Sequence, residues 1–114
     1  MTLNNFLKQL DEAPDSIAFG DTVALIESLY EFTPTRFSNG DLVSEAGQNS
    51  GSCKIFAFAQ LHGLTEKQTL ACFGTYYRDD VLKHPQGTDH QNIRNFMASG
   101  WTGIQFQGNA LTAK

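Results

Sequence analysis

Apolar positions along this chain change their period several times, and each change predicts an element. Leu3, Phe6, Leu7 and Leu10 repeat at i, i+3, i+4 and i+7. That spacing is the stripe of an amphipathic helix, with Thr2 as its N-cap and Pro14 as its stop. Ser16 to Phe19 then runs extended, and Asp21 opens a second helix with Val23, Leu25, Ile26, Leu29 and Tyr30 on a broad apolar face. Phe32 to Phe37 is β-prone, but Pro34 cannot donate to a ladder, which confines any strand to a sheet edge. Asn39-Gly40 favours a turn whose two central residues both take positive φ. Two pairings are open from there. One is a hairpin to Leu42-Val43; the other is Gly103 to Gly108, where Ile104 and Phe106 alternate with Gln105 and Gln107.

Between Cys53 and Leu61 the polar face disappears. Ile55, Phe56, Ala57, Phe58, Ala59 and Leu61 leave almost no polar side, so this helix is predicted at the centre of the domain. Ser52 is its expected cap and Gly63 its left-handed stop. Two further helices are predicted by capping-box spacing, at Thr65-Glu-Lys-Gln68 and at Thr88-Asp-His-Gln91. The first carries Leu70 and Phe73, the second Ile93, Phe96 and Met97; Gly100 ends the last before Trp101. The expected fold is mainly α, or α+β with a minimal two-stranded β element. About five helices gather around the central apolar helix in a single domain spanning residues 1–114.

Composition narrows the function more than the fold. The chain holds 40% hydrophobic residues, nine of them Phe, and 18% charged residues, a soluble globular balance. No apolar run reaches the ~18–20 residues of a membrane helix, so no membrane is expected as a partner. The start, MTLNNFLKQLDEAP, lacks a basic segment followed by an apolar block and predicts no cleavable secretory signal. Net charge is −4, with eight Lys and Arg against twelve acids, which argues against nucleic acid as a partner. Cys53 and Cys72 form no CxxC pair, so structural zinc is not indicated. They read as free thiols in a reducing compartment, with a disulfide as the alternative.

Two constellations carry candidate chemistry. Gly51 and Ser52 lead into the helix that contains Cys53 and Lys54. Free N–H groups at such a start suit an anion, and the helix dipole with Lys54 lowers the pKa of a thiol placed there. A cysteine hydrolase or transferase would use Cys53 as nucleophile, His90 as base and Asp89 to orient it. His62 ends the same helix, about 13 Å from Cys53, and is out of reach. The glycine spacing is one residue short of a phosphate-binding loop, and Ser-Cys separates the glycine from the lysine. Farther on, Asp79, Asp80, His84 and His90 crowd carboxylates and imidazoles into one segment. If a helix runs to Lys83, Asp80 and His84 lie one turn apart, a spacing that ligates zinc or iron. Ion pairing of Asp79 or Asp80 with Arg78, Arg94 or Lys83 competes with that reading. Tyr76, Tyr77, Arg78 and Arg94, with Trp101, are candidates to line a groove for a peptide or small ligand.

Three segments, FTPTRFSNGDLVSEAG, GSCKIFAFAQLHGLT and YYRDDVLKHPQGTDHQNIRNFM, together resemble the HopJ type III effector family. The resemblance spans roughly Phe19 to Phe106. It implies a protein delivered into host plant cells by type III secretion, and it brings no catalytic residues or cofactor with it. Type III substrates usually begin with a flexible Ser-rich leader, whereas a helix is predicted from Leu3. The expectation is therefore a relative that stays in the cytoplasm of the producing bacterium, with secretion into a host cell as the alternative. Function reads first as a non-catalytic interaction protein with a protein or small-molecule partner. The alternatives are the Cys53 enzyme and a metal- or anion-binding protein.

Overall fold

The computed structural model describes residues 2–114. Helices α1 (Leu3–Glu12) and α2 (Phe19–Leu29) flank a 3₁₀ turn at Pro14–Ser16, and strands β1 (Tyr30–Phe32), β2 (Phe37–Asn39) and β3 (Leu42–Ser44) follow. Next come α3 (Ser50–Leu61), α4 (Glu66–Ala71), a π-helical turn at Tyr76–Val81 and α5 (Gln91–Ser99). A second 3₁₀ turn at Gly100–Gly103 leads into β4 (Ile104–Phe106) and β5 (Leu111–Ala113). The fold is α+β. No helix among the described residues is long and apolar enough to cross a membrane.

The described residues form two small antiparallel sheets where the sequence pattern predicts one two-stranded element. Strand β2 lies between β3 and β4, so both pairings left open by the sequence form, one on each edge. The hairpin is displaced by one residue from the expected turn. Asn39 pairs with Leu42, so Gly40 and Asp41 make the loop, and only Gly40 takes positive φ, at +61°. That is the pattern of a two-residue turn with glycine at its first central position. The second sheet joins β1 to β5 with Tyr30 opposite Ala113 and Phe32 opposite Leu111. The strand at Leu111–Ala113 is too short to show a period in sequence.

Phe56 and Phe58, two residues apart, point about 200° from each other around α3. Both are 0% exposed. Phe56 meets Phe37, Phe73 and Phe96, with ring centroids 6.1, 5.5 and 5.0 Å away. Phe58 meets Phe6, Tyr30 and His62 at 5.9, 6.4 and 4.6 Å. One helix thus anchors two aromatic clusters, one reaching the sheet and α5, the other reaching α1 and β1. At its end, Gly63 takes φ +62°, and the Leu64 N–H returns to the Ala59 carbonyl at 2.9 Å. The left-handed stop is as the sequence predicts.

The two capping-box sequences part company. Thr65 Oγ1 accepts from Gln68 N at 3.1 Å, and Gln68 Oε1 accepts from Thr65 N at 2.9 Å, a complete box. At Thr88 no box forms. Gln91 Nε2 donates to the Thr88 carbonyl at 2.6 Å instead, and α5 begins only at Gln91, with His90 as a left-handed N-cap. Arg94 is the physical reason. Its guanidinium takes the Asp89 carbonyl, the Asp89 carboxylate and the His84 carbonyl at 2.6, 2.7 and 3.0 Å. That clamp holds the segment as a loop where the motif would make it helical. The cap expected at Ser52 likewise moves: α3 starts at Ser50, with Asn49 as N-cap at φ +50°. Helix α2 starts two residues before Asp21, which stands in its first turn.

Truncation separates these roles. Phe56→Ala should cost about 3–5 kcal/mol in urea unfolding, while Leu61→Ala, at 59% exposed, should stay within about 0.5 kcal/mol. Equal losses would contradict the packing described. Thr65→Ala is expected to cost about 1 kcal/mol and Thr88→Ala less than about 0.5 kcal/mol; a larger loss at Thr88 would mean that its box does form.

Candidate functional site

The head of α3, the head of α5, the start of α2 and the segment Phe73 to Tyr76 enclose an open cleft of about 430 Å³. Phe19, Phe73 and Tyr76 supply its apolar wall; Gly51, Ser52, His90, Gln91 and Asn92 supply its polar one. The wall is continuous. Phe19 lies 6.5 Å from Phe73 and 5.0 Å from Tyr76, and Tyr76 lies 5.1 Å from the His90 ring. Two glycines set Phe19 there. A Cβ on Gly51 would come within 2.8 Å of the Phe19 ring, and one on Gly74, itself at φ +62°, within 2.6 Å of the Phe19 nitrogen. Only glycine admits both approaches.

Both helices that open on the cleft begin without a side-chain cap. Asn49 and His90 are also the two non-glycine residues with positive φ among those described, each at +50°. Their side chains are engaged elsewhere. Asn49 Nδ2 donates to Ser44 Oγ at 2.9 Å, and His90 Nε2 meets Asp80 Oδ2 at 3.0 Å. The first internal bonds of the two helices run from Cys53 N to Asn49 O and from Ile93 N to His90 O. Ahead of those bonds, the N–H groups of Gly51, Ser52, Gln91 and Asn92 have no backbone acceptor. Behind the cleft, Asn39 fixes the head of α5. Its Nδ2 donates to the Asn92 carbonyl at 2.7 Å and to Asn92 Oδ1 at 3.1 Å, and its own Oδ1 is buried without a donor among the described residues.

The predicted site residues are spread over several places. Cys53 is 1% exposed and lies outside the cleft lining; its Sγ approaches the Thr35 carbonyl at 3.7 Å. Burial raises the pKa of this thiol, and the neighbouring Lys54 charge offsets only part of that. Lys54 turns away to pair with Glu27 at 3.2 Å, over the Phe32 ring. Cys72 is also free and buried, its thiol pushed up to about 12 by desolvation. His90 stands beside Asp80 and, at 3.8 Å, Asp89. The Arg94 hydrogen bond holds the Asp89 carboxyl below the usual carboxylate range. Arg78 Nη1 donates to the Ile17 carbonyl at 3.0 Å, and Tyr77 packs half-buried on the core. Asp79 pairs with Lys83 at 3.0 Å.

Asp80 and His84 are not joined: the helical turn ends at Val81, before His84, and the Asp80 carboxylate meets His90 instead. Over Tyr76–Val81 the turn widens, with Leu82 N bonding back five residues to Tyr77 O. His84 is exposed, and its carbonyl serves Arg94. Among the described residues no group of three or more His, Cys, Asp and Glu side chains is placed to hold a metal ion. Of the groove candidates, Tyr76 alone lines the cleft; Trp101 packs against Phe96 and donates to the Leu64 carbonyl at 3.1 Å. Sequence reasoning missed Phe19, Asn49, Gln91 and Asn92. The one available signal was Asn49, since Asn accepts left-handed backbone more readily than most residues.

The crystal structure of a protein described as "unknown function protein VPA0580" has a TM-score of 0.98 to this chain at 56% identity, covering 100% of this chain and 95% of that one. No curated protein matches. The model of the family described as "HopJ type III effector protein" matches residues 3–111. With nearly its whole length inside that match, the chain belongs to the HopJ type III effector protein family.

Proposed function

We propose that this HopJ-family chain is a non-catalytic binding protein that works by holding a ligand or partner in the cleft between α3 and α5. The observation that carries the reading is the aromatic wall of Phe19, Phe73 and Tyr76 facing uncapped helix heads across one cavity. Aromatic walls with a few convergent polar groups are the usual makeup of small-ligand sites, and about 430 Å³ suits them. In this reading α3 is the central support, the other helices gather about it, and the cleft stands at its head. The partner is a protein or small molecule. Eight Lys and Arg against twelve acids disfavour nucleic acid, and no membrane is invoked. The place of action is the bacterial cytoplasm, with a host cell as the alternative carried by the family's description. Two free, buried cysteines suit a reducing compartment on either side.

The enzyme alternative asks for a thiolate at Cys53. Burial disfavours it there, and His90 is engaged with Asp80. A metal or anion reading through Asp79, Asp80, His84 and His90 keeps only the Asp80–His90 pair in contact.

Two measurements test this reading. A disulfide-exchange reagent at pH 7.5 should label neither Cys53 nor Cys72 until the protein is unfolded; rapid one-equivalent labelling of Cys53 would favour the enzyme. In an amide NMR titration with indole and benzyl alcohol, shifts should concentrate at Phe19, Phe73 and Tyr76. Tyr76→Ala should weaken that response about tenfold, the scale of a lost aromatic contact. Shifts mapping elsewhere would remove the cleft from consideration.

A further inference from the structure

Of the asparagines in this chain, only Asn39 precedes a glycine. The backbone nitrogen that follows an asparagine can attack the side-chain carbonyl carbon and close a five-membered imide, and glycine, with no side chain, hinders that attack least. The fold closes this path at both ends. Asn39 is 0% exposed, and its Nδ2 is held by the Asn92 carbonyl and Asn92 Oδ1 at 2.7 and 3.1 Å. The attacking atom, Gly40 N, donates to the Gly103 carbonyl at 3.0 Å, while Asn95 Nδ2 holds the Asn39 carbonyl at 3.0 Å. A clasp from α5 and the turn after it thus grips the pair. A second observation shows what conversion would do. Both groups that face Nδ2 are acceptors, and Asn39 Oδ1 is buried without a donor among the described residues. The site demands a donor, and a carboxylate offers only acceptors.

We propose that Asn39-Gly40 is a modification site guarded by the fold: opening of the β2–α5 clasp permits deamidation, and the product cannot close the clasp again. The step needs only water. Gly40 N gives up its proton and bonds to Asn39 Cγ; the Cγ–Nδ2 bond breaks, and the nitrogen leaves as ammonia. Water then opens the imide at either carbonyl, giving an aspartate or an isoaspartate in which the main chain runs through the side-chain carbon. Each product damages the same place. The aspartate sets a buried, unpaired charge against two carbonyl oxygens. The isoaspartate lengthens the main chain by one carbon at the residue paired with both Leu42 and Ile104, which disturbs the register on both edges of β2. Protection therefore measures how rarely α5 and β2 separate. A chain that has opened for long enough is marked and does not rejoin the native pool.

The test incubates the intact chain in mildly alkaline buffer, with and without urea, and reads conversion at each asparagine by peptide mass spectrometry. In urea, Asn39 should convert faster than Asn49, Asn95 or any other asparagine. In native buffer its conversion should be at least about tenfold slower than in urea. Equal rates in the two conditions would overturn the guarding role. Asn39→Asp tests the second half. It is nearly isosteric with the natural side chain, yet its urea midpoint should fall below that of Asn39→Ala, which removes the donor without adding charge. An aspartate variant as stable as the natural chain would overturn the one-way character. Chains deamidated in urea and returned to native buffer give the same answer even where neither variant folds. They should remain without a cooperative melt, while chains exposed to urea only briefly refold; full recovery of the deamidated chains would overturn the proposal.

Discussion

Two phenylalanines set back to back on α3 impose the constraint from which the remaining geometry follows. Phe56 and Phe58 are fully buried on opposite sides of one helix, so each side must be covered by other elements. Phe56 draws in β2, Phe73 and α5, while Phe58 draws in α1 and β1. Burying two such rings is worth several kcal/mol, comparable with a large part of a small domain's whole stability. Phe56 touches Phe96, so α3 and α5 meet through these rings, and the heads of both helices line one cleft. The cleft is thus a by-product of core packing, later furnished by loops.

Those loops share a logic. Wherever a side chain stands ready to cap a helix at the cleft, something else has claimed it. Ser44 takes Asn49, Asp80 takes His90, and Arg94 takes Asp89. Asn49 and His90 even adopt left-handed backbone that costs a non-glycine residue roughly 1 kcal/mol or more. The surrounding packing enforces a conformation that local preference alone would avoid. Such departures from local rules tend to concentrate where a fold does its work.

Much of the fold was legible in the sequence because it is written in local patterns. The α1 stripe, the buried character of the Cys53 segment, the Gly63 stop and the Thr65 box each depend on neighbours within one or two turns. The site was harder because its making is non-local. Thr88 to Gln91 carries the same letters as a working box, yet a guanidinium six residues after Thr88 converts it to a loop. Asp80 and His84 have helical spacing, but the helical turn stops at Val81 and His90 takes the Asp80 carboxylate. Cys53 reads as a thiol that could be activated at a helix start, while its position in the first turn faces it inward to the Thr35 carbonyl. Phe19 enters the cleft only through Gly51 and Gly74, which are distant from each other along the chain. Family membership, by contrast, was readable because it resides in whole segments.

The uncapped beginnings of α3 and α5 couple occupancy to folding. A missing cap leaves a helix about 1 kcal/mol short of what its sequence length would support, and here the deficit occurs twice in one place. The unfolded chain has no such cleft, so any ligand seated in it acts on the native state alone and shifts the equilibrium by mass action. Under the proposed cleft reading, heat resistance gauges whether the cavity is filled, and a melting curve run against a chemical library turns this protein into its own reporter.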